Sequence, residues 1–185
     1  SVEKLQKEIS EDKNVKANTK VNIQLATFES NNEIVDSAQL ITVDKNDYKD
    51  YITLKDNGDK IINIPKNVAV VSEKLAYLHR LTKGDNFTVV VNNKEYILTV
   101  GEINKNYFGH AIYINRDYYE SVFNKQYKDN TFLVQTTGGK EIVENVVSNL
   151  HNNKDIVNIS DNSKIQEILD NFIKGIDIIV AVMVI

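Results

Sequence analysis

The sequence of 185 residues contains no cysteine. That excludes a disulfide framework, a thiolate metal site and a cysteine nucleophile. It does not choose between cytosol and bacterial exterior. Basic residues are not in excess: 22 Lys and Arg stand against 26 Asp and Glu, for a net charge of −4 and a pI of about 5.4. Composition therefore forces no basic face, and nucleic acid is not expected as a partner. The chain has one proline, Pro65, and neither an internal repeat nor a low-complexity tract. It opens Ser1-Val2-Glu3-Lys4, with neither an initiator methionine nor a signal-peptide pattern, and reads as trimmed there. Long apolar runs are missing until the last ten residues, Ile176 to Ile185, where Asp177 is the single charge. As a helix these would rise ~15 Å, about half of the ~30 Å hydrocarbon core. The run is expected to be the first half of a transmembrane helix, the rest being a water-exposed part of a membrane protein. A helix or strand buried in a globular core is the alternative.

A chain of this length is able to bury roughly 70 % of its unfolded surface, enough for one good domain or two small lobes. Val2, Leu5 and Ile9 recur at three- and four-residue steps among polar residues, predicting an amphipathic helix. Val21, Ile23 and Leu25 alternate with Asn22 and Gln24 as in a half-buried strand, and Ser37 to Val43 reads as another. Asp47 opens a short helix carrying Tyr48, Tyr51 and Ile52. Ile61–Ile64 and Val68–Val71 read as short strands either side of Pro65, and Ser72 caps a helix with Leu75, Ala76 and Leu78 on its apolar face. A hairpin follows, with Phe87, Val89 and Val91 on one arm and Tyr96, Leu98 and Val100 on the other, across Asn92-Asn93. Ala111–Ile114 is a strand and Asp117–Phe123 an aromatic helix.

Thr131–Thr136, the Gly138-Gly139 break, the helix Lys140–Leu150 and the strand Ile156–Ile159 then make one β-α-β unit. The fold class is α+β with two lobes. Residues 1–40 and 129–162 form a discontinuous α/β lobe, and 41–128 form a β-rich insertion. Residues 163–185 are a stalk helix, opened by the capping box Ser163-x-x-Gln166 and leading into the membrane span. Ile165, Leu169, Phe172 and Ile176 give that helix a narrow apolar stripe. The stripe of Val2, Leu5 and Ile9 is its expected partner in a paired stalk.

Candidate sites are few. Thr136-Thr137-Gly138-Gly139-Lys140 is too short for a phosphate loop, and Glu141 stands where Ser or Thr is needed. Asp44-x-Asn46-Asp47 and Asp56-Asn57-Gly58-Asp59 lack calcium-loop spacing and read as a cap and a turn. His79, His110 and His151 are scattered and suggest neither a zinc set nor a catalytic base held by a third group. No catalytic residue, metal or cofactor is expected. Tyr107, Tyr113, Tyr118 and Tyr119 suit an interface or a small aromatic core equally.

Val70-Val71-Ser72-Glu73-Lys74-Leu75-Ala76, then Lys83-Gly84-Asp85, then a hairpin ending Val100-Gly101-Glu102-Ile103, is similar to the extracellular region of FtsX-like ABC-transporter permeases. This superfamily includes the macrolide-exporter and lipoprotein-releasing permeases. Asn106-Tyr107-Phe108-Gly109-His110, continuing to Tyr113-Ile114 and Tyr118-Tyr119, resembles its Gram-positive branch. The resemblance runs from about Ser37 onward. It implies an extracellular, non-enzymatic domain between two transmembrane helices of a cell-membrane permease. It further implies a dimer of the permease, two cytoplasmic ATPase subunits, and coupling through the stalk to a peptide, antibiotic or lipoprotein substrate. Asn106, Tyr107, Phe108, His110 and Tyr113 are the expected partner contacts, and the two stripes the coupling residues. A ligand-binding or sensor module of another membrane protein, such as a receptor kinase, is the alternative.

Overall fold

A computed structural model describes residues 2–31, 33–105, 109–161 and 180–184. The chain divides into two compact units, one of residues 1–21, 45–53 and 129–185, the other of 22–44 and 54–128. Each has its own core. The expected division after residue 40 falls inside a strand, since 22–44 belongs to the inserted unit and only 45–53 returns to the first.

The first unit is an α/β lobe. It holds α1 (Val2–Glu11), the opening part of β1 (Val15–Ser30), a 3-10 turn (Asn46–Asp50), β7 (Thr131–Thr136), α4 (Lys140–His151), β8 (Ile156–Asp161) and β9 (Val180–Val184). The sheet order is β1-β7-β9-β8 with every neighbour antiparallel, so β7 and β8 are parallel strands with β9 between them. Alternation sends Phe132 and Val134 of β7 to one face. There they join Val182 and Val184 of β9, Leu5 and Ile9 of α1, and Val143, Val146 and Leu150 of α4 in one cluster. On the other face Thr19 donates to Asp47 at 2.7 Å, and the Gln135 amide donates to the Asp50 carbonyl at 2.5 Å, seating the 3-10 turn.

One expectation is corrected here. Val180–Val184 is a strand paired on both sides, not the start of a membrane-entering helix. Val180, Val182 and Val184 are β-branched at alternate positions, which fits a pleated strand; over so short an apolar run, hydrophobicity alone does not separate strand from helix. Among the described residues no helix is long and apolar enough to cross a membrane. The stripe Val2, Leu5 and Ile9 does form a helix, and Leu5 and Ile9 are consumed by the lobe's own core. Its expected partners Ile165, Leu169, Phe172 and Ile176 lie outside the described residues.

The second unit is a closed barrel of six strands. It uses the remainder of β1 from Asn22, with β2 (Glu33–Val43), β3 (Ala69–Ser72), β4 (Asn86–Val91), β5 (Lys94–Asn104) and β6 (Ala111–Asn115). β1 pairs antiparallel with β2, β2 parallel with β6, β6 antiparallel with β3, β3 parallel with β5, and β5 antiparallel with β4. Thr27 against Val90 returns β4 to β1. Closure leaves no free sheet edge in this ring. Inside sit Ala26, Phe28, Leu40, Val71, Val89, Leu98, Ile112 and Ile114. The β4–β5 hairpin turns on Asn92 and Asn93 at φ 50° and 61°, the left-handed pair a two-residue turn requires.

Helix α2 (Glu73–Leu78) follows β3 and helix α3 (Arg116–Phe123) follows β6. Because β3 and β6 run antiparallel, the two helices close opposite ends of the barrel. Leu75 and Ala76 plug one end, and Tyr118, Tyr119, Phe123 and Tyr127 the other. Asn115 caps α3 by accepting from the Asp117 amide at 2.7 Å. Ile61–Ile64 does not form the expected strand: Ile61 makes one bridge, to Lys55.

Candidate functional site

A part-buried polar cluster lies at the α2 end of the barrel. Asp36 sits on β2 directly opposite Phe28 of β1, on the strand face that carries Ala38 and Leu40 into the core. His79 ends α2, and His110 enters β6 just after Gly109, whose φ of 70° turns the chain toward it. The Asp36 carboxylate lies between the two rings. His79 Nε2 is 3.0 Å from Oδ2, and His110 Nδ1 is 2.9 Å from Oδ1. The Ser37 amide donates to Oδ1 at 2.8 Å. An ionised carboxylate only accepts, so His79 donates from Nε2 and His110 from Nδ1. The Phe28 ring stacks on His79 with centroids 4.0 Å apart, and the Gln39 amide donates to the His110 carbonyl at 2.9 Å.

The three side chains are 15–21 % exposed. Burial alone would raise the Asp36 carboxyl; the hydrogen bonds from His79, Ser37 and His110, with the charge of His110, outweigh it and hold the group below its ordinary value. The geometry is that of a clasp: one carboxylate fastens β2 to the end of α2 and to the entry of β6. Among the described residues no group of His, Asp and Glu side chains converges as a metal site. Neither ring faces a hydroxyl nucleophile in any hydrogen bond described.

The other sequence-predicted residues fall as follows. Asn106, Tyr107 and Phe108 lie outside the described residues. Tyr113 is buried on β6, in a cross-strand row with Ile41 and Val70, and burial pushes its phenol up to about 12. Tyr118 and Tyr119 belong to the barrel core, and the Tyr118 hydroxyl accepts from the Thr99 amide at 2.9 Å. Of the acidic segments, 56–59 is a local turn, whereas Asp44 and Asp47 are engaged by Arg116 and Thr19, distant in sequence. Asp47 accepts from Thr19, and Asp56 Oδ1 accepts from the Gly58 and Lys60 amides at 2.9 and 3.0 Å. The Thr136 hydroxyl donates to the Gly138 carbonyl at 2.8 Å, which folds the glycine break as a helix start.

Sequence reasoning missed Asp36. The available signal was an acidic residue on the inward face of a strand, since Asp36, Ala38, Leu40 and Thr42 share one side of β2. A carboxylate there requires buried donors, and the two histidines were the unassigned candidates.

No family model matches the chain, and none of the curated proteins matches it. Several solved structures are similar to it. One is the extracellular domain of the noncanonic ABC-type transporter YknZ from Gram-positive bacteria: 16 % identity, 80 % of this chain and 83 % of that one, TM-score 0.43. Another is the periplasmic region of MacB from Actinobacillus actinomycetemcomitans: 14 % identity, 91 % of this chain and 82 % of that one, TM-score 0.40. No residue role is carried over from either.

Proposed function

We propose that this protein is the extracellular domain of an FtsX-like ABC-transporter permease, a non-enzymatic part that couples ATP hydrolysis on a separate cytoplasmic subunit to movement outside the cell. The observation that carries this reading is the organisation of the chain. An α/β lobe is assembled from both ends of the sequence, and the residues between them supply a β-rich lobe. Supporting it, the family-like pieces Val70–Ala76, Lys83–Asp85 and Val100–Ile103 are consecutive parts of one barrel: β3 with α2, the turn into β4, and the end of β5.

In this reading, displacement at the membrane reaches the α/β lobe through α1, because Leu5 and Ile9 are embedded in its core and a helix held that way moves with its lobe. Ile165, Leu169, Phe172 and Ile176 are the proposed second half of that linkage. A second permease copy and the ATPase are the proposed partners, and a peptide, antibiotic or lipoprotein the proposed substrate. Asn106, Tyr107, Phe108 and His110 are the proposed contact stretch. Tyr113 is not among them, because it is buried.

The test is topological. These 185 residues contain no cysteine, so an introduced thiol is the one target within the domain, and labelling is read against the unsubstituted protein. Tyr77, 81 % exposed on α2, is replaced by cysteine in the full-length protein, and intact cells are treated with a membrane-impermeant maleimide. Labelling in intact cells, with an ATP-hydrolysing subunit co-purifying from the membrane, is the expected result. Labelling only after lysis removes the extracellular assignment. Labelling outside without an ATPase subunit leaves the sensor alternative.

A further inference from the structure

Asn57-Gly58 is the one Asn-Gly pair in the sequence, and both residues are exposed. Such a pair is chemically labile. The Gly58 backbone nitrogen attacks Asn57 Cγ, forming an N–Cγ bond and giving up its proton. The bond from Asn57 Cγ to its amide nitrogen Nδ2 breaks, and ammonia leaves. Water then opens the five-membered imide at either carbonyl, giving aspartate or isoaspartate. No hydrogen bond holds the Asn57 carboxamide among the described residues, so the leaving group is accessible.

The backbone around the pair opposes that reaction. The Asp59 amide donates to the Asp56 carbonyl at 3.0 Å, and Asn57 and Gly58 both have negative φ, followed by Asp59 at φ 62°. These values describe a type I turn with a left-handed residue after it, in which the first central residue has ψ near −30°. Closing the imide rotates that bond and breaks the turn. The nucleophile is also occupied: Gly58 N–H donates to Asp56 Oδ1 at 2.9 Å, and the same oxygen accepts from the Lys60 amide at 3.0 Å. A carboxylate against the Gly58 amide holds the proton that must leave and disfavours the amide anion. The turn is itself anchored by the Lys55 amide donating to Asn104 Oδ1 at 2.8 Å and the Lys105 amide donating to the Lys55 carbonyl at 2.7 Å.

We infer that Asn57-Gly58 is a latent deamidation site kept closed by the Asp56 carboxylate. Loss of this one carboxylate, or local opening of the 55–61 hairpin, converts the turn to aspartate and isoaspartate. The purified protein is incubated at mildly alkaline pH, folded and in urea, and Asn57 is followed by peptide mass spectrometry with enzymatic isoaspartate detection. Folded wild type is expected to react about tenfold or more slowly than unfolded, within the reach of one or two hydrogen bonds. Asp56→Ala is expected to recover most of that factor while its melting curve stays cooperative. Asp56→Asn, which retains an acceptor without the charge, falls between. Equal rates for folded and unfolded wild type overturn the inference without any variant. A folded Asp56→Ala protein reacting at the wild-type rate overturns the role of Asp56.

Discussion

In the barrel lobe one carboxylate, that of Asp36, is wedged between two imidazoles. Three donors converge on Asp36, the adjacent Ser37 amide and two rings from stretches far away in sequence. Asp36→Ala leaves both rings without their acceptor and is expected to cost about 1–3 kcal/mol in urea denaturation, the range for leaving a buried donor without its partner. Asp36→Asn is expected to cost less. Its oxygen still accepts from one ring, and the other can switch tautomer and accept from the amide NH2. The pH dependence follows from the lowered carboxyl. A carboxyl lower in the folded state than in the unfolded contributes stability that is complete above its unfolded value near ~3.9 and is lost as pH falls below it. The gap between wild type and Asp36→Asn is therefore expected to narrow as denaturation curves are taken from about pH 5 to about pH 3. A gap unchanged over that range would mean the carboxylate charge does not hold the clasp. The histidines are visible in the sequence as residues without a task. Their common partner is not, because contact between residues 36, 79 and 110 depends on barrel closure rather than on spacing.

Among the elements, those with a strong local signal are legible and those set by pairing are not. The Asn92-Asn93 hairpin, the aromatic helix α3, and α4 with Val143, Val146 and Leu150 all follow from period and turn chemistry. By contrast, β1 runs from Val15 to Ser30, and its opening alternates Lys16, Asn18 and Lys20 with Val15, Ala17 and Thr19, of which only Val15 is a large apolar residue, so the strand signal there is faint; in the structure β7 pairs with that stretch. The last run misleads for the opposite reason, apolarity being common to membrane helices and inner strands. Helix α1 is legible as a helix, and its apolar side packs into the lobe, Leu5 being fully buried in one cluster with β7 and α4 residues. Leu5→Ala is expected to destabilise the protein by about 2–5 kcal/mol, the cost of a cavity in a packed core; a loss within about 0.5 kcal/mol would return the stripe to the surface. In the barrel, Gly101 of β5 permits the backbone entering β3 to lie against it. A Cβ there would come within 2.9 Å of Val68 Cβ. Gly101→Ala is expected to cost about 1–3 kcal/mol, and Val68→Ala in the same protein to restore part of it, which thermal denaturation of the single and double variants would measure.

For the molecule as a whole, the division into two cores is legible in outline, because the β-α-β rhythm after residue 129 differs from the short strands before it. The exact passage of the chain is not: residues 22–44 go to the barrel and 45–53 come back, decided by pairing of β2 with β1 and β6 rather than by any break in composition. The two cores draw on separate residues, Ala26 through Tyr127 in one and Leu5, Ile9 and Phe132 through Val184 in the other. Energy removed from one core should therefore appear first in the amides of that unit. Leu98 and Val146 are both fully buried, one in each core. Leu98→Ala is expected to raise hydrogen exchange in β3, β4 and β5, by the equivalent of about 2–5 kcal/mol of opening free energy, while β7 and α4 keep their protection. Val146→Ala should do the reverse, exposing β7, α4 and β8 with a smaller loss. Exchange rising uniformly over the whole protein in either variant would show a single cooperative unit, in which the α/β lobe does not open apart from the barrel.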